Sequence, residues 1–304
     1  MHRYLIALIL IAAVLVPAAP AETLRDALLA RLRARREGAA SNEAPAGDTE
    51  QITLAGLHTY VWRPPGTGRH PLVIFSHGLH GAGSQSRFLT REMARNGYLV
   101  IAPDHNDSVR GMLFDGAPLR PQVSFGRPDA WTDAVYADRR DDIRGLVAAL
   151  KADPTWNAQI DWTKFALAGH SLGGYTAMGL AGAWPSWKME GVKAVLALSP
   201  AVLPFVRQHT LTNVHVPVMY QGGTEDRGIT PTLERAGGAY DQSLSPCIFV
   251  KFQGAGHFAF SDIRHEGHEG MLAYSIAFLD RYVKGDQTAD PTKRLDGLAD
   301  FRVK

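Results

Sequence analysis

Phe165-Ala166-Leu167-Ala168-Gly169-His170-Ser171-Leu172-Gly173-Gly174 is the stretch on which the fold turns. An apolar run able to form a buried strand ends at Gly-His-Ser-Leu-Gly, and small and apolar residues at helical spacing follow. Strand, sharp turn, helix is the order that a nucleophile elbow requires. The turn forces Ser171 into strained backbone angles, and Gly169 and Gly173 leave room for strand and helix to approach each other. Ser171 then projects beside the amide of Leu172 and the start of a helix, where a developing negative charge is favoured.

Composition sets the bounds around that stretch. With 304 residues and 45% hydrophobic content the chain can bury one sizeable α/β core. A formal charge of +2 argues against nucleic acid or an anionic surface as partner. The single cysteine, Cys247, rules out an intramolecular disulfide or a cysteine-based metal site, and it lies in an apolar stretch that reads as a strand. At the N-terminus, His2 and Arg3 precede an apolar run over 5–16 and an Ala19-Pro20-Ala21 end. This pattern predicts a signal peptide over 1–21, cut before Glu22, and export to the periplasm or the medium. The alternative, an uncleaved membrane anchor, is disfavoured because the run falls short of the roughly 20 residues a span needs.

Residues 22–50 read as one amphipathic helix over 23–40, with Leu24, Leu28, Leu29 and Leu32 among arginines, and a linker over 41–48. From 51 to 304 the chain reads as a single domain. Strands are expected at 51–54, 58–62, 71–76, 99–102, 192–198, 216–221 and 247–252, the last of these taken as the final strand. Helices are expected at 84–96, 131–153, 231–241 and 269–283, the last closing the domain. Arg139, Arg140, Asp141 and Asp142 give the 131–153 helix a charged face. Strands alternating with helices imply a mainly parallel sheet with helices on both faces, and an active site at the carboxyl ends of its strands. Two stretches without clear periodicity, 106–129 and 201–214, are candidate walls of a pocket.

Serine is a poor nucleophile at neutral pH and needs a base, itself oriented by a third group. Downstream of Ser171, Asp226 follows a strand in Gly222-Gly223-Thr224-Glu225-Asp226, and His257 follows the next strand in a Gly-flanked loop. Ser, acid, His is the chain order of one fold in particular. Glu225 competes with its neighbour, and Asp226 fits the strand-end pattern better. A second oxyanion donor would be the amide of Leu79, after Ser76-His77-Gly78. His77 and His170 read as braces for the oxyanion turn and the elbow. His80 could line the pocket or be solvated. His265 and His268 are three apart, unlike the zincin His-Glu-x-x-His spacing, and read as a polar helix start. Asp104-His105-Asn106-Asp107 could bind a cation but reads more simply as a turn. No cofactor or metal is called for.

These motifs resemble the α/β-hydrolase superfamily. Within it the chain is similar to exported serine hydrolases of the dienelactone-hydrolase-like branch, related to platelet-activating-factor acetylhydrolases and to cutinases. Phe75-Ser76-His77-Gly78-Leu79, Pro103-Asp104-His105, Gly169 to Gly174, Gly222 to Asp226 and Gly256-His257 carry the resemblance, which covers 51–284. It implies Ser171 as nucleophile, Asp226 as acid, His257 as base, and Leu79 and Leu172 as oxyanion donors. It also implies a small-molecule, lipid or polyester ester as substrate. In one respect the chain departs from true dienelactone hydrolases: Ser171 stands where they carry cysteine, which argues against a lactone as substrate. A peptidase or acyltransferase of the same fold, and a binding module on an inactive scaffold, are the competing readings.

Overall fold

The computed structural model describes residues 49–304 apart from positions 115, 117 and 119. The expected signal peptide, N-terminal helix and linker lie outside the described residues. Nine strands form one sheet in the order β1-β2-β4-β3-β5-β6-β7-β8-β9. They are β1 (Thr49–Leu54), β2 (Leu57–Trp62), β3 (His70–Ser76), β4 (Leu99–Pro103), β5 (Ile160–His170), β6 (Val192–Leu198), β7 (Val218–Gly223), β8 (Cys247–Phe252) and β9 (Leu298–Val303). From β4 through β3, β5, β6 and β7 to β8 every pairing is parallel. β2 pairs antiparallel with both β1 and β4, and β9 pairs antiparallel with β8.

The central strands are continuously apolar because both faces are covered, and the two-residue period sorts their side chains between two cores. Leu72 and Ile74 of β3, Leu167 of β5 and Val195 of β6 face one core, shared with Ile143, Leu146 and Leu150 of α2 (Ala137–Ala152) and with Leu172 and Tyr175 of α3 (Leu172–Met178). Val73 and Phe75, Ala166 and Ala168, and Leu196 face the other. There they meet Leu89 and Met93 of α1 (Arg87–Arg95) and Met271, Tyr274 and Phe278 of α4 (His268–Leu279). The fold is an α/β sheet, mainly parallel, with helices on both faces.

Several expectations need correcting. Cys247–Phe252 is not the final strand, and the 269–283 helix does not close the domain, because β9 adds an antiparallel edge beyond β8. Its half-exposed residues, Leu298-Ala-Asp-Phe-Arg-Val, leave only a faint apolar alternation to read. The helix expected over 231–241 is two short turns, Thr230–Glu234 and Ala239–Gln242, separated at Gly237-Gly238. Arg139 is not on a solvated face: its side chain is wholly buried, for reasons that belong to the site. Short helices also lie within the two stretches expected to be irregular, at Val109–Phe114 and Leu203–Gln208.

Chain direction decides where chemistry can gather. From β3 the chain crosses to β4 on one side and then returns to β5 on the other, so the strand order reverses at β3 and β5. The crevice at the carboxyl ends of such a pair is open to a ligand. The turn after β3 carries His77-Gly78-Leu79, and the turn after β5 carries Ser171.

Candidate active site

Ser171 is the residue between β5 and α3, with φ 54° and ψ −117°, angles that L-residues adopt only under constraint. The constraint is close packing. A Cβ at Gly173 would overlap the Ser76 carbonyl oxygen, and one at Gly169 would overlap the backbone of Gly173. Backbone hydrogen bonds complete the clamp: the Ser171 amide donates to the Leu198 carbonyl at 3.0 Å, and the Ala201 amide donates to the Ser171 carbonyl at 2.9 Å. The Leu172 amide opens α3, where the first N–H groups of a helix have no partner within it.

Ser171 Oγ lies 3.0 Å from Nε2 of His257. Nδ1 of that ring is 3.4 Å from Oδ2 of Asp226 and 2.8 Å from Oγ of Ser199, whose hydroxyl in turn donates to Asp226 Oδ2. The loops after β5, β6, β7 and β8 therefore supply Ser171, Ser199, Asp226 and His257 in the order of the strands across the sheet. Burial works against a charge on Asp226, but hydrogen bonds from His257 and Ser199 outweigh it and hold the carboxyl below its ordinary value. It stays ionised at neutral pH. Glu225 faces away, its half-exposed carboxylate 3.3 Å from Arg227.

His170 locks the elbow to the His257 loop. Its Nε2 donates to the His257 carbonyl at 3.0 Å, and its Nδ1 accepts from Gln85 Nε2 at 2.9 Å. Gln85 Oε1 accepts the Gly78 amide at 2.9 Å, tying in the turn after β3. Burial, reinforced by His257, pushes His170 down to about 3, so it remains neutral and keeps this one tautomer. A Cβ at Gly78 would stand 3.4 Å from Ser171 Cβ, which puts the Leu79 turn directly against the elbow.

Behind that turn sits a dense polar cluster. Arg139 makes a two-pronged pair with Asp107, Nη2 to Oδ1 at 2.8 Å and Nε to Oδ2 at 3.2 Å. Asp107 is thereby kept below its ordinary value despite burial. Ser76 Oγ contacts His105 Nε2 at 2.9 Å, and His105 Nδ1 contacts Asp142 Oδ2 at 2.8 Å. Burial drives His105 well down and Asp142 up to about 7. The Asp104 carboxylate accepts the Gly83 amide at 2.7 Å and contacts His58 Nδ1 at 2.9 Å. The Asp104–Asp107 turn thus uses its carboxylates internally, and among the described residues no group of three or more His, Cys, Asp or Glu could hold a metal.

A small apolar hollow of roughly 70 Å³ is walled by Phe125, Trp131, Pro200, Ala201, Leu203 and Ile229; its lining includes none of Ser171, Asp226 or His257, though the Ala201 amide donates to the Ser171 carbonyl. Both stretches singled out as walls contribute to it. A larger hollow of roughly 480 Å³, bordered by Phe252, His268, Glu269 and Leu298, includes none of Ser171, Asp226 or His257. His268 begins α4, stacks on Phe88 with ring centres 3.5 Å apart, and contacts the Ala259 carbonyl. His80 is half-buried, with its Nε2 buried and without a partner among the described residues.

Sequence reasoning passed over Ser199 and Gln85. Ser199 stood in plain view at the end of a strand neighbouring the elbow strand, and the rule that sites gather at carboxyl strand ends could have raised it. Gln85 carries no motif at all.

Residues 57–278 match the model of the dienelactone hydrolase family. The chain belongs to that family, and is a hydrolase of the α/β-hydrolase superfamily. It is also similar to curated cutinases from Thermobifida. Cutinase 2 of Thermobifida cellulosilytica is 25% identical over 229 residues, 74% of this chain and 73% of that protein. Cutinase est2 of Thermobifida alba is 24% identical over 228 residues, 74% of this chain and 64% of its own length. For cutinase cut1 of Thermobifida fusca the figures are 25% over 229 residues, 74% and 60%.

Proposed function

We propose that this hydrolase cleaves carboxylic esters through an acyl-enzyme on Ser171. One observation carries the reading: a serine in strained elbow angles with its Oγ 3.0 Å from the Nε2 of a histidine that an ionised aspartate faces from behind. His257 removes the Ser171 proton as Oγ attacks the ester carbonyl, and the oxyanion is taken by the amides of Leu172 and Leu79. His257 then protonates the departing alkoxide. Water, deprotonated by the same ring, attacks the acyl-enzyme and releases the acid. Asp226 stabilises the imidazolium formed in each half-reaction. The names of the Thermobifida relatives support an ester as substrate, and the small apolar hollow walled in part by Ala201, whose amide donates to the Ser171 carbonyl, suits an acyl chain. Export by a signal at 1–21 belongs to the same reading, on the basic start, apolar run and Ala19-Pro20-Ala21.

The test is hydrolysis of p-nitrophenyl esters from acetyl to palmitoyl, alongside labelling by a fluorophosphonate. Turnover and labelling that both vanish in Ser171→Ala are the expected result. Wild-type protein that neither turns over any ester nor takes the label would leave only a binding scaffold.

A further inference from the structure

The cation buried behind the turn after β3 has no part in the acyl transfer just described, yet its hydrogen bonds converge on that turn. Arg139 Nη1 donates to the His77 carbonyl at 2.7 Å, and Nη2 donates to the Gly78 carbonyl at 3.3 Å. Asp107 holds Nε and Nη2, and Ser76 Oγ accepts a further bond from Nη1 at 3.3 Å. The Gly78 carbonyl also accepts from the Gly81 amide at 3.0 Å and from His77 Nδ1 at 2.7 Å. Which ring nitrogen of His77 carries the proton follows from its other side. The His105 amide can only donate, and it reaches Nε2 at 2.9 Å, so Nε2 offers its lone pair and the proton is on Nδ1.

The Gly78 carbonyl and the Leu79 N–H are the two ends of one planar peptide unit. Fixing the carbonyl fixes the direction of the N–H. Donors at the oxygen, one of them charged, also draw electron density along the amide and strengthen the N–H as a donor, by roughly 10–30% per bond. Arg139 itself is kept in place by a buried carboxylate, so the arrangement costs little reorganisation when charge develops on the substrate.

We propose that Arg139 is a positioning residue for the oxyanion hole, holding and polarising the Gly78–Leu79 peptide so that the Leu79 N–H meets the developing oxyanion. This rests on the reading of Leu79 as an oxyanion donor.

The experiment uses an alkyl trifluoromethyl ketone and its non-electrophilic alcohol analogue. Ser171 Oγ adds to the ketone carbon, its proton passes to His257, and the carbonyl electron pair becomes an oxyanion in the hole. The alcohol analogue fills the same space without that charge. Two variants are compared with wild type. In Arg139→Met/Asp107→Asn the cation and its partner charge go together, so no lone buried ion is left. In Arg139→Lys the charge opposite Asp107 is kept, but a single ammonium cannot span Asp107 and both carbonyls.

Expected are a fall in kcat of about 10- to 100-fold in the double variant and about tenfold in Arg139→Lys, with KM within about twofold. Ketone affinity should fall by the same factor as kcat, while affinity for the alcohol holds. Should the double variant not fold, Arg139→Lys carries the test alone. A folded variant with wild-type kcat and ketone affinity overturns the proposal. So does a variant that loses ketone and alcohol affinity equally, since that marks general damage to the pocket. Wild-type protein that forms no Ser171-dependent ketone adduct removes the esterase reading itself and this inference with it.

Discussion

Two serine–histidine–aspartate chains run through this molecule within one sheet edge. In one, Ser171 Oγ is 3.0 Å from His257, which lies 3.4 Å from Asp226. In the other, Ser76 Oγ is 2.9 Å from His105, which lies 2.8 Å from Asp142. By distance alone the second is the better triad. Everything else separates them. Ser76 ends a regular strand, is buried, and receives a further hydrogen bond from Arg139 at 3.3 Å, so no carbonyl carbon can approach it. Ser171 stands half-exposed on a strained turn beside a helix N-terminus. The acids diverge as well: hydrogen bonds pull Asp226 down and keep it charged, whereas burial pushes Asp142 up to about 7. An acid half protonated at neutral pH, beside a histidine held well below its ordinary value, is poorly suited to stabilise an imidazolium. Three residue types in line do not by themselves make a triad; access, a strained turn and a charged acid set Ser171 apart as the candidate nucleophile.

Exchanging the two serines for alanine breaks the comparison most sharply. Ser171→Ala should lower ester turnover by something on the order of 10⁴- to 10⁶-fold, and Ser76→Ala by less than about tenfold, each measured as p-nitrophenyl ester hydrolysis per folded molecule. The reverse ranking would move the nucleophile to Ser76. Next come the acids. Asp226→Asn should cost about 10⁴-fold in kcat by leaving His257 without its counter-charge, while Glu225→Gln and Asp142→Asn should stay within a few-fold. If Glu225→Gln alone is inactive, the acid is Glu225.

Stability against pH tests the buried side of the comparison. His77 and His170 are both pushed down by burial to about 3, from 6.5 when exposed. Their depressed values mean that the folded state is at full strength above pH 6.5 and loses stability as pH falls towards 3. The loss is roughly 2 kcal/mol per histidine between pH 6.5 and 5. Asp142 works in the opposite sense: raised to about 7 from 3.8, it favours the folded state at low pH and loses that advantage as pH rises through 7. Urea unfolding at pH 5, 7 and 8 should therefore show net acid weakening, with Asp142→Asn gaining on wild type between pH 5 and 8. No acid weakening would mean that the buried imidazoles are charged in the fold. The smallest effect concerns Ser199, which bridges His257 and Asp226. Ser199→Ala should lower kcat about tenfold with KM unchanged, since one of two groups orienting the ring remains. An unchanged pH–rate profile together with unchanged kcat would remove Ser199 from the site.

Much of the fold was legible from local pattern. The apolar run 165–168 before Gly-His-Ser-Leu-Gly predicted the strand–turn–helix, and alternating strands and helices predicted the parallel sheet. Edge elements were less legible. β9 touches the sheet on one side only and has no fully buried residue, so its apolar signal is weak. The buried polar cluster was misread for a related cause. Arg139 sits in a charged run, Arg139-Arg140-Asp141-Asp142, whose composition says surface, and its contacts with Asp107 and with the turn after β3, all distant in sequence, make burial tolerable.

By itself, the sequence determined what depends on neighbours along the chain: the elbow at Ser171, the turn at Gly78-Leu79, the strand-end positions of Asp226 and His257, and the parallel architecture. Tertiary structure alone decided what depends on neighbours across the sheet. It put Ser199 between His257 and Asp226, Gln85 between the Gly78 amide and His170, and Arg139 beneath the Gly78–Leu79 peptide. Backbone turns and strand periodicity are written in residues a few positions apart, within reach of local steric preference. A hydrogen bond between residues 85 positions apart, as in the Gln85–His170 pair, has no local trace and exists only once the strands have set their order.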